Sequence, residues 1–277
     1  MTISEQQRDA FKEFEKTSWS KQAEHYDVFA GQMTRRAVNG LLDAVRVRAG
    51  TKLLDVATGP GYVAAEATRR GADAIGLDIT ENMLTEARRR FPGTSFEIGD
   101  AEKIRYADAS FDAVVCAFGM LHFPRPGKAL SEAYRVLRPG GRHAFSVWDG
   151  PAKAKILTLI AEVVRKHADP SLALPTGPNL FMLSDPWVAT ALMEAANFSD
   201  VKIEEVPSYF AAPSPETVFD FMRKSMVRST YVYDRSSSDV QRRIEQGIKD
   251  AAAEALVAGE GKIACPSLLV SGSKTSG

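Results

Sequence analysis

The chain has 277 residues, 44% of them hydrophobic and 25% charged, enough to bury one large core with an appendage and too apolar overall for disorder, collagen or coiled coil. Lys+Arg and Asp+Glu both number 35, so the formal charge is zero and no global field draws the protein to nucleic acid or an anionic membrane. The start, "MTISEQQRDAFKEFEKTSW", is too polar for a secretory signal, and no apolar run approaches the ~20 residues of a membrane span. Cys116 and Cys265 match neither a disulfide framework nor a metal-ligand spacing. The expectation is a cytoplasmic protein with two inert thiols and no metal.

In chain order, "TKLLDVA" reads as a strand, the Gly-Pro-Gly turn follows, and "YVAAEATRR" is a helix closed by Gly71. "ADAIGLDIT" is a second strand and "ENMLTEARRRF" a second helix, stopped at Pro92-Gly93. "TSFEIGDAEKI" and "SFDAVVCAFGML" are strands three and four, "RPGKALSEAYRVL" is a helix, and "GRHAFSVWDG" is a fifth strand after the turn "RPGG". This alternation predicts an α/β, doubly wound, mainly parallel sheet.

Beyond residue 150, "AKAKILTLIAEVVRKHA" has the spacing of an amphipathic helix, and "DPSLALPTGPNLFML" is a Pro-rich loop. "SDPWVATALMEAANF" is a helix with Ser184 as N-cap and Pro186 in the first turn. "SDVKIEEV" is a strand, residues 213–233 and 237–257 are helical, and "KIACPSLLVSGSK" is a final strand. The last two strands bring the sheet to seven, with helical cap insertions at roughly 151–180 and 213–258 over its carboxyl edge.

Ligands of open sheets bind beyond the carboxyl ends of the strands, where strand order reverses. Gly59-Pro60-Gly61-Tyr62-Val63-Ala64 fits G-x-G-x-x-G/A at the first such end, and Asp78 ends the second strand, where a carboxylate accepts both hydroxyls of a ribose. Alone, the glycines are a tight turn. With the spaced acid they point to a nucleoside, either in a dinucleotide or in the adenosyl cofactor S-adenosylmethionine. Asp55 sits four residues before Gly59, where its charge repels a pyrophosphate and attracts the ammonium of a methionine moiety. Asp100, in Gly99-Asp100-Ala101, ends the third strand, placed to accept from an adenine amino group.

"LLDVATGPGYVAAEA", "GLDITENMLTEAR", "GDAEKIRYADASFDAVVCAFGMLHF" and "ALSEAYRVLRPGGR" together resemble the class I S-adenosylmethionine-dependent methyltransferases, with their Rossmann-like fold. Within these the chain is most similar to the group that includes ubiquinone and menaquinone C-methyltransferases. The resemblance is strong over residues 20–150. It implies that Asp55, Ala57, Gly59 and Gly61 line the methionine end, that Asp78 holds the ribose, and that Ile79 packs on the adenine with Met83 also at the cofactor. It further implies that Asp100 and Ala101 hold the adenine edge, that Phe118 borders the cofactor from the substrate side, and that Tyr26 belongs to an N-terminal segment that closes over it. Residues 1–50 are then a closing segment, 51–150 the cofactor-binding core, and 151–277 the cap and last strands. Thr58 departs from relatives that carry Gly or Cys there.

Methyl transfer from a sulfonium is an in-line displacement driven by the donor, so positioning and electrostatics supply much of the acceleration. A base is needed only if the acceptor keeps its proton. His122, after the fourth strand, is the candidate, against a reading as a rim histidine held by a backbone partner. His25 reads as an exposed helical residue, His143 as core, and His167 as a helix-end contact. Trp148 and Asp149 end the fifth strand, where they border the acceptor or the core. Phe219, Met222 and Met226 form a stripe that is cap core, pocket wall or both, while Arg223, Lys224 and Arg228 read as solvated, with a role toward an anionic acceptor as the alternative. The expected acceptor is a small, partly hydrophobic molecule methylated at O, N or C by a monomer or homodimer, with no nucleic-acid or membrane partner. A nicotinamide-dependent oxidoreductase and a catalytically silent adenosyl-binding module are the alternatives.

Overall fold

The computed structural model describes residues 3–275. The chain opens with helix α1 (Glu5–Gln22), whose N-terminus is closed by a reciprocal pair: Ser4 accepts from the Gln7 amide while the Gln7 side chain accepts from the Ser4 amide. Short helices α2 (Gly31–Thr34) and α3 (Val38–Ala44) lead into the sheet. The central run is then β1 (Lys52–Val56), α4 (Tyr62–Arg69), β2 (Asp73–Asp78), α5 (Glu81–Arg90), β3 (Ser95–Ile98), β4 (Phe111–Ala117), α6 (Pro126–Val136) and β5 (Leu137–Trp148). After it come α7 (Lys155–His167), α8 (Pro186–Ala195), β6 (Ser199–Val206), β7 (Tyr209–Ala211), α9 (Pro215–Ser225), α10 (Val227–Arg235), α11 (Ser238–Ala258), β8 (Lys262–Ala264) and β9 (Ser267–Ser273).

Seven strands form one sheet in the order β3-β2-β1-β4-β5-β9-β6, parallel except for β9, which runs antiparallel to both its neighbours. The expected doubly wound, mainly parallel sheet is present. Its central strands carry continuous apolar runs because helices cover both faces: Leu53, Leu54, Ala113, Val114, Val115 and Phe145 are fully buried. Helix α4 packs on β1 and β2, α5 on β2 and β3, α6 on β5 and α8 on β6. Strand order reverses between β1 and β4, so the loops after β1, β2 and β4 open on one crevice.

The C-terminal half departs from the sequence reading in four places. The last strand is two strands, because Pro266 has no N–H to continue a ladder: β8 pairs with β7 in a separate two-stranded sheet, and β9 inserts between β5 and β6. The helix expected over 213–233 breaks at Met226, which leaves helical φ/ψ between α9 and α10. "RPGG" lies inside the long β5 as an irregularity opposite Phe111–Ala113 rather than as a turn before it. Asp185, not Ser184, caps α8: its carboxylate accepts from the Trp187 amide at 2.9 Å, while Ser184 Oγ donates to the Phe181 carbonyl. A carboxylate one residue closer to the turn takes the orphan amide.

Helices α7, α9, α10 and α11 pack on one another, forming the cap. No helix among the described residues is long and apolar enough to cross a membrane.

Candidate functional site

At the end of β1 the chain turns sharply, with Ala57 at φ 54°, Gly59 at 53° and Gly61 at 89°. Gly61 is required by space as well as by φ, since a Cβ there would lie 2.7 Å from the Phe96 ring. At Gly59 a Cβ would meet nothing within 4 Å, so this side of the turn is bare. Phe118, just after the neighbouring β4, is also left-handed at φ 56°, held by its amide donating to the Ser146 carbonyl at 3.0 Å. Two non-glycine residues in this conformation at adjoining strand ends mark a site where surrounding structure imposes strain.

Asp78, buried at the end of β2, accepts from the Gly59 amide through Oδ2 (2.9 Å) and from the Thr80 amide and hydroxyl through Oδ1 (2.9 and 2.8 Å). Burial raises its pKa, and these donors oppose the rise. Asp100, at the loop after β3, receives the Lys12 ammonium at 2.5 Å and the Glu102 amide at 2.9 Å.

These residues line a single cavity of about 810 Å³. One end is made by the strand ends, with Ala57, Gly59, Asp78, Ile79, Met83, Asp100, Ala101 and Phe118. The other end is built by Trp148, Leu157 and Val164, by Leu172, Leu174 and Phe181 of the Pro-rich loop, and by Phe221, Met226 and Val232 of the cap. The Phe118 and Trp148 rings, 4.2 Å apart between centroids, stand where the two sets meet. Tyr26 also lines the cavity, and burial pushes its phenol up to about 12.

Helix α1 crosses this space with Lys12, Glu15, Lys16 and Trp19 among the lining residues, none of which the motifs singled out. Glu15, 4% exposed, is the unexpected feature. Its Oε2 accepts from His122 Nδ1 at 2.9 Å and Trp19 Nε1 at 3.2 Å, and its Oε1 accepts from Arg228 Nε at 3.0 Å. Burial alone would raise this carboxyl. The adjacent His122 and Arg228 together outweigh burial and hold it below the usual range. Arg228, expected in solvent, instead ties four segments together, since its guanidinium also donates to the carbonyls of Leu121 and Pro178 and stacks over Phe11. The readable signal was the spacing Phe11, Glu15, Trp19, which places an acid on the apolar face of a helix.

Other candidates fall outside the cavity lining. Asp55 is fully buried beneath the turn, where Oδ2 accepts from the Thr58 hydroxyl at 2.5 Å and the Ala64 amide at 3.1 Å, while Oδ1 has no partner. Burial raises its pKa to about 7, against the effect of those two donors. Its position makes it a brace of the loop rather than a counter-charge for an ammonium, and explains Thr58, whose hydroxyl it holds. Gly61 faces Phe96, away from the cavity. Asp149 binds the Gly150 amide, and His25 is exposed. His143 is core, bonded to the Val114 carbonyl and stacked on Phe198, and burial lowers its pKa to about 4. Of the aromatic and Met stripe, Met226 lines the cavity, Met222 is buried in the core, and Phe219 packs against Tyr233. Arg223 and Lys224 pair at the surface with Asp234 and Asp220.

Residues 54–145 match the family described as "Methyltransferase domain". Demethylmenaquinone methyltransferase of Renibacterium salmoninarum is 35% identical over 153 residues, 55% of this chain and 64% of that protein. The chain thus spans somewhat under two thirds of that relative's length. Among solved structures, the YcgJ protein of Bacillus subtilis superposes with a TM-score of 0.57 at 21% identity, covering 87% of this chain and 99% of that one. A phosphoethanolamine N-methyltransferase of Haemonchus contortus, bound to phosphomonomethylethanolamine and S-adenosylhomocysteine, superposes with a TM-score of 0.53 at 18% identity, covering 86% of this chain and 52% of that one.

Proposed function

We propose that this chain, built on a class I S-adenosylmethionine-dependent methyltransferase domain resembling the ubiquinone/menaquinone type, moves a methyl group to O, N or C of a small, partly apolar organic acceptor. The observation that carries this reading is the single cavity with two unlike ends: Asp78, Asp100 and bare backbone at the strand ends, mainly apolar side chains, with Arg165 and Arg228, under the cap.

The strand-end half fits the adenosyl cofactor. Asp78 is a buried carboxylate that lines the cavity and would share its acceptor oxygens between the Gly59 and Thr80 donors and a ribose, the space at Gly59 is open, and Asp100 with the Ala101 backbone would meet the adenine edge. The cations that line the cavity, Lys12, Lys16, Arg165 and Arg228, come from helices α1, α7 and α10 and none from the turn. A pyrophosphate would therefore face Asp78 without a counter-charge, which disfavours the nicotinamide reading. When bound, the cofactor supplies a methyl group activated on a sulfonium.

The protein's part is to orient and to exclude water. The Phe118–Trp148 pair borders the junction of the two ends, Leu174 and Phe181 wall the acceptor, and Trp19 of α1 with Tyr26, just beyond that helix, covers the cavity. An apolar cavity of this size suits a compact organic molecule rather than a nucleic-acid strand, and the balanced charge agrees. The reading places the enzyme in the cytoplasm, as a monomer or homodimer, with Cys116 and Cys265 as free buried thiols.

Calorimetry tests the cofactor: S-adenosylhomocysteine should bind and NADP should not. A screen of quinols, phenols and amines for S-adenosylhomocysteine release tests the acceptor. Binding of NADP alone, or faster methylation of RNA or a folded protein than of every small acceptor, would overturn the reading.

A further inference from the structure

We infer that Glu15 is the positioning residue for His122, and that the seating of α1 readies this histidine to take a proton from the acceptor. The inference rests on the methyltransferase reading and adds to it a base and the group that orients it.

A carboxylate withdrawn from water loses several kcal/mol of hydration unless donors replace it. Glu15 has three, from α1 itself, from the turn after β4 and from α10. A latch for α1 needs only one of them, and Arg228, reaching Pro178 and Leu121 as well, already serves that purpose. The His122 contact does something further. An ionised carboxylate only accepts, so Nδ1 carries the proton in this bond, and in the neutral imidazole Nε2 is then the nitrogen with a free lone pair. Nε2 makes no hydrogen bond among the described residues. The ring lines the cavity and is braced edge-on by Trp19 at 5.1 Å.

The step balances. As the acceptor atom forms its bond to the methyl carbon, its own bond to hydrogen breaks and the proton passes to Nε2. The electron pair of the broken carbon–sulfur bond stays on sulfur, which becomes a neutral thioether. The imidazolium so formed lies beside the Glu15 carboxylate, whose charge it matches. Glu15 and Trp19 belong to α1, whereas His122 belongs to the loop after β4, so base and orienter meet only when α1 lies across the cavity. Proton acceptance is thereby tied to closure over both substrates.

The test uses the full chain labelled with 15N-histidine. At pH 8, two-bond nitrogen–proton correlations should show His122 as the Nδ1–H tautomer in the wild type, mixed or reversed in Glu15→Gln, and largely restored in Glu15→Asp. Turnover of 1,4-naphthoquinol or catechol should fall by ~10²-fold in Glu15→Gln and in His122→Ala, with the double variant no slower than either alone. Binding of S-adenosylhomocysteine by calorimetry should stay within about threefold in Glu15→Gln. An Nε2–H tautomer in the wild type, or an unchanged tautomer in Glu15→Gln, overturns the inference. Absence of S-adenosylhomocysteine binding to the wild type would instead strike the methyltransferase reading, and the tautomer measurement separates the two failures.

Discussion

The Gly59 amide donates to Oδ2 of Asp78 at 2.9 Å, so the turn after β1 and the end of β2 are fastened by the same carboxylate that borders the cavity. In the proposed reading, cofactor binding and loop order therefore share one group. Replacing Asp78 by Ala removes the proposed ribose acceptor and strands the Gly59 and Thr80 amides. We expect weakening of S-adenosylhomocysteine binding by roughly 2–3 kcal/mol, about 30- to 150-fold. Asp78→Asn, which keeps one acceptor for the loop, should fold like the wild type and still bind more weakly. Calorimetric affinities within twofold of wild type for both variants would remove Asp78 from the site.

Asp55 offers a test by pH. Its folded pKa is raised by burial from 3.8 to about 7, so its contribution to stability is fully present below the unfolded value and is lost as pH rises through about 7. Asp55→Asn carries a fixed penalty for its buried amide but has no such pH dependence. Chemical denaturation at pH 4 to 8 should show the difference between the two proteins moving in the variant's favour as pH rises, by an amount on the order of 4 kcal/mol across the window. His143, whose folded pKa is lowered, destabilises both proteins equally at the acid end and cancels. A pH-independent difference would mean that Asp55 is ionised throughout.

The sheet and the strand-end side of the cavity were legible because they are local: the glycine turn, Asp78 and Asp100 each sit at or just past a strand end that apolar periodicity reveals. Asp55 shows the limit of that reading. Its position beside the turn was plain, but whether its carboxylate faced the ligand or the loop depended on Thr58 and Ala64, which the motif leaves open. The Glu15–His122–Arg228 cluster was out of reach for a stronger reason, since its members lie more than a hundred residues apart and only the packing of α1 against the loop after β4 and α10 brings them together. Arg228 read as solvated because a cation within an amphipathic helix normally is. Pro266 split the last strand in a way that its apolar composition concealed.

The same cluster sets an acid limit. The Glu15 carboxyl is held below its ordinary value of 4.5, so its stabilising contribution is present above that value and is lost as pH falls through the lower folded one. Trp19 donates to Glu15 and packs on His122, and therefore reports on α1. In a Trp187→Phe background, which removes the exposed indole and leaves Trp19 and the buried Trp148, acid titration should change the indole emission below about pH 4.5 before the far-UV signal is lost. Glu15→Gln should abolish that separate step. Coincident transitions in both proteins would show that α1 does not respond to Glu15.

Leu174 tests the division of the cavity. It belongs to the Pro-rich loop, half-buried at the capped end, whereas the residues proposed to hold the cofactor lie at the strand ends. Leu174→Trp places extra bulk where the acceptor is expected, on a loop that adjusts more readily than a helix in the core. Transfer to acceptors of naphthoquinol size should fall at least tenfold, smaller acceptors such as catechol should suffer less, and S-adenosylhomocysteine affinity should stay within about threefold. Leu174→Ala should shift the preference the other way, towards larger acceptors. This pair is a sharper probe than deleting residues 213–235, because Phe221 and Met222 of α9 are buried in the core and their loss would unfold the cap. If Leu174→Trp instead weakens S-adenosylhomocysteine binding more than about tenfold and leaves acceptor discrimination unchanged, the apolar end holds the cofactor and the assignment of the two ends is reversed.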